Sequence, residues 1–351
     1  MSEMTGKQIV KLVEADIRPR DIMTKEALEN AIKVTMASGG STNAIIHLVA
    51  LAQRLGMALP LENFDKISAE TPFILNVRPS GQYQMEEYFE AGGVPALMKE
   101  LEPLLHTACL TVTGKTVAEN LDGVKVLDRQ VIYPLTDPIE KDGGIVVLKG
   151  NLAPNGALIK KTAVSEKFKK HKGRAVVFES LIDLDNRIDD PALDVDENSV
   201  LILKHVGPKG APGMPEVGQI PIPQKLLEKG VRDMVRISDG RISGTSYGTL
   251  VVHVAPEAAV GGPLAFVKDG DEIEIDLQNR VLHLHVNEEE LANRRAAWVR
   301  PQPHFDRGYG MLFEQTVLQA DMGCDFDFLV PKQLRPATTA ENQSSDRREE
   351  L

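Results

Sequence analysis

The spacing of apolar residues changes near residue 130, and this change limits the possible folds more than any other feature of the chain. Before it, apolar residues recur at helical intervals over 8–15, 24–36, 42–55, 86–102 and 116–121. After it, short β-rich runs separated by Gly and Pro occupy 145–149, 157–162, 175–179, 199–205, 233–237, 249–254, 272–277 and 281–286. Two further helical patterns cover 223–229 and 288–298. The sequence therefore predicts an α/β fold, largely helical at first and then built on a β-barrel or closed sheet with flanking helices.

The chain has 351 residues, a length that suits two domains. We place the boundary within 125–143, a stretch that contains Pro and Asp, and predict a first domain over 1–130 and a second over 131–335. The remaining residues, 336–351, are polar and contain no aromatic side chain, which predicts a disordered tail.

Charge and hydropathy exclude two classes of partner. The net charge of −11 argues against nucleic-acid binding, which requires a basic face. We interpret the one basic cluster as a solvated surface; it comprises Lys160, Lys161, Lys167, Lys169, Lys170 and Lys172. No stretch reaches the ~20 apolar residues of a membrane helix, and the N-terminus lacks the apolar core of a signal peptide. We therefore expect no membrane partner and a cytoplasmic location.

The chain has two cysteines, Cys109 and Cys324, which are far apart and lie outside any CxxC context. Their spacing indicates neither a disulfide framework nor a zinc site. We expect each to be a small buried apolar side chain.

Two segments combine a glycine-rich backbone with groups that suit an anion or a metal ion. In GGSTN (39–43), Ser41 or Thr42 can cap the following helix, whose N-terminus suits a carboxylate or phosphate; the alternative is a tight turn between helices. In GPKGAPGMPE (207–216), the irregular path can hold Glu216 as an oxygen ligand for Mg²⁺; the alternative is an ordinary surface loop.

Two further segments carry reactive residue types. SDGRISGTSYG (238–248) follows a predicted strand, and a serine in it can act as a base only if a metal or an anion-stabilising nest lowers its pKa. The alternative is a simple Gly/Ser turn. The segment 319–328 holds three Asp and Cys324, but it lacks the spacing of a calcium loop, and we expect a structural role for it.

Together these segments resemble the dihydroxy-acid dehydratase and phosphogluconate dehydratase family. Matching strings follow the family's order from about residue 5 to residue 330: GGSTNAIIHLVALA (39–52), PSGQYQMEEYFEAGGVPALMKEL (79–101), DPIEKDGGIVVLKGNLAPNGALIKKTA (137–163), GPKGAPGMPE (207–216), SDGRISGTSYG (238–248) and HVAPEAAVGGPLAFVKDGDEIEIDLQNR (253–280). The resemblance implies part of an α/β cofactor domain followed by a swivel-like C-terminal β-barrel domain, with the active site between them.

The resemblance also implies a reaction. The family's hydro-lyases dehydrate a 2,3-dihydroxy acid to a 2-keto-3-deoxy acid with an iron–sulfur cluster, expected to be [2Fe–2S], and Mg²⁺, and its members form homodimers. By position, Ser243 matches the proton-abstracting base, with Thr245 beside it, and Glu216 matches an Mg²⁺ ligand. The segment near the substrate corresponds to Ser41, Thr42 and Asn43.

Two stretches resemble the sugar-acid branch, which dehydrates aldonates such as arabinonate or xylonate. They are RGYGMLFEQTVLQADMGCDFDFL (307–329) and SGTSYG (243–248). The alternative is a branched-chain dihydroxy-acid dehydratase, in which phenylalanine usually precedes the serine; this chain has Ile242 there. Gly240 stands where sugar-acid enzymes often have alanine.

The family's cluster-binding cysteines lie upstream of the GGSTN segment, and in this chain no cysteine precedes Cys109. We therefore expect the C-terminal portion of a dehydratase, which holds the base and one Mg²⁺ ligand but no iron–sulfur ligand. Three alternatives stay open. The chain is a truncated dehydratase, a half-enzyme completed by another polypeptide, or a non-catalytic descendant that binds an aldonate or a partner chain without turnover.

Overall fold

A computed structural model describes residues 2–335, so the predicted tail at 336–351 lies outside the described residues. The α-helices are Ser2–Glu14 (α1), Pro19–Ile22 (α2), Lys25–Ser38 (α3), Thr42–Arg54 (α4), Leu61–Glu70 (α5), Met85–Glu90 (α6), Gly93–Glu100 (α7), Val117–Leu121 (α8), Leu181–Arg187 (α9), Gln224–Leu227 (α10), Glu288–Ala297 (α11) and Gly308–Thr316 (α12). Over residues 2–335, none of these helices has the length and apolar character needed to cross a membrane.

The β-strands form the barrel that the sequence predicts. They are Ile145–Gly150 (β1), Ala153–Lys160 (β2), Lys170–Phe178 (β3), Val200–Leu203 (β4), Val235–Ser238 (β5), Leu250–Ala255 (β6), Glu272–Asp276 (β7) and Val281–His285 (β8). Around the closed barrel the order is β1-β2-β6-β5-β4-β3-β7-β8. The neighbouring pairs β3/β4, β4/β5 and β5/β6 are parallel. The pairs β1/β2, β2/β6, β3/β7 and β7/β8 are antiparallel.

Successive side chains of a strand point to opposite faces, and both faces of β1 are buried. Val146 and Leu148 fill the barrel interior. Ile145 and Val147 point outward into a second core formed with α3, α4 and α5, where Phe64 is fully buried. The helical part and the barrel thus share one hydrophobic core, and the domain boundary near residue 130 stays a prediction.

Helices α3 and α4 are separated by the GGSTN segment. Gly39 ends α3 in the left-handed conformation (φ 57°), a common helix C-cap. Ser41 then caps α4, because its side chain accepts a hydrogen bond from the backbone N–H of Asn43. The predicted cap is confirmed for Ser41.

The structure differs from the sequence prediction in several elements. Strand β2 begins at Ala153, although Pro154 and Gly156 favoured a turn over 150–156. The strand accommodates them because Pro154 is exposed and the β2/β6 register shifts between Gly156 and Leu158. Helices α5, α9 and α12 were not predicted. No residue of α12 is buried and only Leu184 is buried in α9, so neither of these two helices shows a clear apolar face.

Candidate functional site

Three motifs that are distant in sequence meet at the side chain of Asn43. Its Nδ2 donates hydrogen bonds to Glu216 Oε1 at 3.0 Å and to the carbonyl oxygen of Ile242 at 2.9 Å. Asn43 lies in the first turn of α4 and is 8% exposed. A single buried amide therefore ties the GGSTN segment to the loop 207–216 and to the loop 238–248.

The loop that carries Glu216 is anchored by a buried carboxylate. Glu257, 1% exposed, accepts hydrogen bonds from the backbone N–H groups of Lys209 at 3.0 Å and Gly210 at 2.8 Å. Burial raises the pKa of Glu257, while these hydrogen bonds oppose the rise. At its other end, the loop joins the third motif through the Gly218 N–H, which donates to the Arg241 carbonyl at 2.9 Å. The backbone around Glu216 is thus fixed at both ends.

Asp239, in the third motif, is an anchor and does not face the site. It is fully buried, and its two oxygens accept from the backbone N–H groups of Val206 (3.0 Å) and Ala258 (2.8 Å). Burial, together with the nearby Glu257 carboxylate, raises the pKa of Asp239 to about 7. The residue joins the ends of β4, β5 and β6, from which the site loops depart.

Ser243 and Thr245 lie on an open turn after β5. Their hydroxyl oxygens are 3.0 Å apart, and Thr245 is exposed. Gly244 packs against Ser41, since a Cβ added at Gly244 would lie 3.0 Å from the Cβ of Ser41. The capping serine of α4 and the SGT turn therefore form one wall of the site.

The structure thus brings together five of the six residues that the resemblance singles out: Ser41, Asn43, Glu216, Ser243 and Thr245. The sixth, Thr42, is 5% exposed in the first turn of α4. Its side chain is therefore packed inside the protein and is little exposed to a ligand. The roles of all six residues stay predictions.

Lys160 is a site residue that the sequence analysis missed. Its Nζ donates to the carbonyl oxygen of Gly244 at 2.9 Å, and burial lowers its pKa to about 8. The solvated-surface interpretation is therefore wrong for Lys160, although Lys167 and Lys170 are exposed. Strand alternation was the available signal, because Lys160 shares the face of Leu158, which packs under the helices.

Two side chains of the described part have oxygen atoms that could serve as ligands of Mg²⁺. Glu216 is exposed and only its Oε1 is hydrogen-bonded within residues 2–335, while Asn43 Oδ1 is buried and has no partner there. Carboxylate and amide oxygens suit this cation. However, no group of three or more His, Cys, Asp or Glu side chains in the same range could hold a metal ion. Glu216 therefore fits as one ligand of an Mg²⁺ ion that needs others.

The cysteines of the described part do not fit an iron–sulfur cluster. Cys109 packs against the core of the helical part, whereas Cys324 lines a cavity beside α4 with His47 and Arg241. Burial raises the pKa of both thiols, which disfavours the thiolate that binds iron.

Family models of known proteins match both parts of the chain. Residues 1–120 match the family model described as "Dihydroxy-acid/6-phosphogluconate dehydratase N-terminal", and residues 130–324 match its C-terminal counterpart. An L-arabinonate dehydratase of Rhizobium leguminosarum is 52% identical over 94% of this chain and 57% of its own length.

Two other relatives extend the comparison. A 6-deoxy-6-sulfo-D-gluconate dehydratase of Pseudomonas putida is 47% identical over 94% of this chain and 57% of its own length. A dihydroxy-acid dehydratase of Ignicoccus hospitalis is 45% identical over 92% and 58%, respectively. The chain thus spans little more than half the length of the relatives it matches. The matched models cover both parts of the chain in order, and the chain belongs to the dihydroxy-acid/6-phosphogluconate dehydratase family.

Proposed function

We propose that this protein takes part in the dehydration of a sugar acid to a 2-keto-3-deoxy acid, with Ser243 as the base that removes the C2 proton. The observation that carries the proposal is the meeting of Ser41, Glu216 and the Ser243 turn around the amide of Asn43. A hydroxyl base and a carboxylate are held next to a helix N-terminus. This arrangement suits a substrate that carries a carboxylate beside an acidic C–H.

The chain's own residues have distinct roles in this proposal. As an alkoxide, Ser243 Oγ accepts the C2 proton and becomes a hydroxyl. The hydroxyl of Thr245, 3.0 Å away, can donate a hydrogen bond that stabilises the alkoxide before the proton is transferred. Asn43 orients Glu216, which would hold Mg²⁺. When bound, Mg²⁺ supplies positive charge that stabilises the negative charge developing on the substrate carboxylate and C2 oxygen. The loss of the C3 hydroxyl is assigned to no residue of this chain.

We favour an aldonate over a branched-chain dihydroxy acid as substrate. The relatives named for L-arabinonate and for 6-deoxy-6-sulfo-D-gluconate are 52% and 47% identical, against 45% for the dihydroxy-acid dehydratase. L-Arabinonate is therefore the first substrate to test. We further propose, from the family resemblance, a [2Fe–2S] cluster bound outside the described residues, a homodimer and a cytoplasmic location.

The test compares the wild-type protein with Ser243→Ala and with Ser246→Ala, a neighbouring serine whose hydroxyl bonds to Gln219. Each is purified without oxygen, reconstituted with iron, sulfide and Mg²⁺, and assayed for 2-keto-3-deoxy acids on a panel of aldonates. Loss of the base should lower kcat by about 10²- to 10⁴-fold, while Ser246→Ala stays within about threefold.

The outcome separates the open alternatives. Turnover by Ser243→Ala at the wild-type rate would refute the assignment of the base. Absence of product from the wild type would contradict the dehydratase proposal for this chain on its own. Binding of L-arabinonate without product would then favour a non-catalytic descendant, whereas product formed only with a second polypeptide would favour a half-enzyme.

A further inference from the structure

Lys160 brings a positive charge to the site without a carboxylate partner. Within residues 2–335, its Nζ forms no ion pair, and its hydrogen bond goes to the Gly244 carbonyl at 2.9 Å. The next residue differs, since Lys161 lies between Glu140, at 2.6 Å, and Asp142. A partly buried ammonium group loses hydration, and at Lys160 no opposite charge compensates for this loss. Its position therefore needs an explanation other than pairing.

The carbonyl that Lys160 contacts belongs to the turn that presents Ser243. This turn is closed by a hydrogen bond from the Ser246 N–H to the Ser243 carbonyl at 3.0 Å. Ser41 packs against Gly244 from the α4 side. Lys160, at the end of β2, holds the same glycine through its carbonyl. The turn is thus supported by a helix cap on one side and by a barrel strand on the other.

We propose that Lys160 is a positioning residue for Ser243, an inference that rests on the function proposed above. By fixing the Gly244–Thr245 peptide unit, one residue beyond Ser243, its Nζ holds the turn that sets the direction of the serine hydroxyl. The ammonium charge close to the turn also favours the alkoxide over the hydroxyl form of the serine. Lys160 thus acts on the reaction through Ser243 and makes no contact with the substrate.

A purely structural lysine at the end of β2 would give different results. Its removal would lower the stability of the strand end but would leave the turn and the chemical step unchanged. The two roles are separated by measuring the mobility of the turn and the kinetic constants in the same variants.

The variants are Lys160→Met, which removes the charge and the donor, and Lys160→Arg, which keeps both. Lys161→Met is the matched control, because it removes the neighbouring lysine outside the site. Amide hydrogen exchange is followed in peptides that cover 243–247, and kcat and KM are measured on the aldonate that the wild type turns over.

In Lys160→Met, we expect exchange in the turn to be about tenfold faster, because a hydrogen bond from a charged donor is lost. We expect kcat to fall about 10- to 100-fold, with KM within about twofold of the wild-type value. Lys160→Arg should restore most of both properties, and Lys161→Met should match the wild type.

Unchanged exchange in Lys160→Met would overturn the proposal, whatever the activity. A rise in KM at constant kcat would overturn it as well, since it would make Lys160 a substrate contact. If the wild type forms no product, the proposed function fails. If exchange is then faster in Lys160→Met and returns to the wild-type rate in Lys160→Arg, the result would still support the role of Lys160 in fixing the turn.

Discussion

Asn43 illustrates how much of the candidate site depends on one side chain. Its Nδ2 donates to two acceptors, one on the loop 207–216 and one on the loop 238–248. An aspartate at this position would place a carboxylate against Glu216 and against the Ile242 carbonyl, and both contacts would become repulsive. The choice of an amide at position 43 therefore follows from the two oxygens that it faces.

Replacing Asn43 by Ala should weaken the response of the protein to Mg²⁺. The orientation of Glu216 would be lost, and loss of such a supporting contact typically lowers metal affinity by about 10- to 100-fold. The Mg²⁺ concentration that gives half-maximal activity measures this effect. Asn186→Ala, an exposed asparagine of α9, is the control and should not change it. Equal Mg²⁺ dependence in Asn43→Ala and the wild type would contradict the proposal that Glu216, oriented by Asn43, binds the metal.

The buried side chain of His253 leads to a prediction about how the stability of the protein depends on pH. It is 2% exposed, and its ring nitrogens have no hydrogen-bond partner within residues 2–335. Burial, with Arg241 and His47 nearby, lowers its pKa to about 3. In the unfolded chain the ring takes up a proton near pH 6.5, and the folded state does so only near pH 3. Stability should therefore fall as the pH falls from about 6.5 towards 3.

The variant His253→Asn should flatten this dependence, because asparagine does not titrate and tolerates the left-handed backbone at this position (φ 56°). Urea unfolding at several pH values between 4 and 7 gives the free energy of unfolding for both proteins. His283→Asn, at a half-buried site of β8, is the control and should keep the wild-type slope. An unchanged slope in His253→Asn would show that other groups cause the acid sensitivity.

Among the elements, the parallel strands β5 and β6 are joined just before they begin by a buried network around Asp233. This carboxylate accepts hydrogen bonds from Ser165 Oγ (2.6 Å), from the Thr249 backbone N–H (2.8 Å) and from Arg236 Nη2 (3.1 Å). Arg236 and Asp233 are each 5% exposed. The network joins the segment before β3 to the strands that carry the third motif.

Asp233→Ala should lower the free energy of unfolding by about 3–5 kcal/mol, since it leaves the buried Arg236 charge without its partner. Urea denaturation measures the loss. The exposed pair of Asp194 and Arg174 provides the comparison, and Asp194→Ala should cost less than about 1 kcal/mol. Equal effects of the two substitutions would contradict the importance of burial around Asp233.

The elements that were predicted correctly are those whose pattern is local. Strand β4 is continuously apolar and α3 has both a Thr24 cap and a glycine end, so each can be predicted from its own residues. The anchoring carboxylates Asp239 and Glu257 could not be found in this way. Their partners are backbone N–H groups of distant loops, which come near only after the barrel closes. Lys160 differs from them, because strand alternation marks its buried side, although its partner, the Gly244 carbonyl, comes near only in the folded protein.

At the scale of the whole molecule, the shared core between the helices and the barrel predicts a single unfolding transition. Phe64, in α5, is fully buried in this core. Phe64→Ala should lower the free energy of unfolding by about 3–5 kcal/mol. Far-UV circular dichroism reports the helices, and the fluorescence of Trp298, whose ring lies against Gly261 after β6, reports the barrel side.

Both signals should shift together to lower urea concentration in this variant. Phe89→Ala, which truncates a 78% exposed phenylalanine of α6, is the control and should shift neither signal appreciably. A shift of the helical signal alone would show that the two parts unfold independently, in agreement with a true domain boundary near residue 130.

The meeting of distant segments at Asn43 has a consequence for biosynthesis. Asn43 and its acceptor Ile242 are 199 residues apart, so at ~5–20 residues per second the ribosome makes the second about 10–40 s after the first. During that time the apolar side chains of α3 and α4 lack Leu250 and Val252, which pack against them in the folded protein. The nascent chain therefore exposes an apolar helical surface until β6 emerges from the ribosome. We expect chaperones to bind the chain most strongly during this interval.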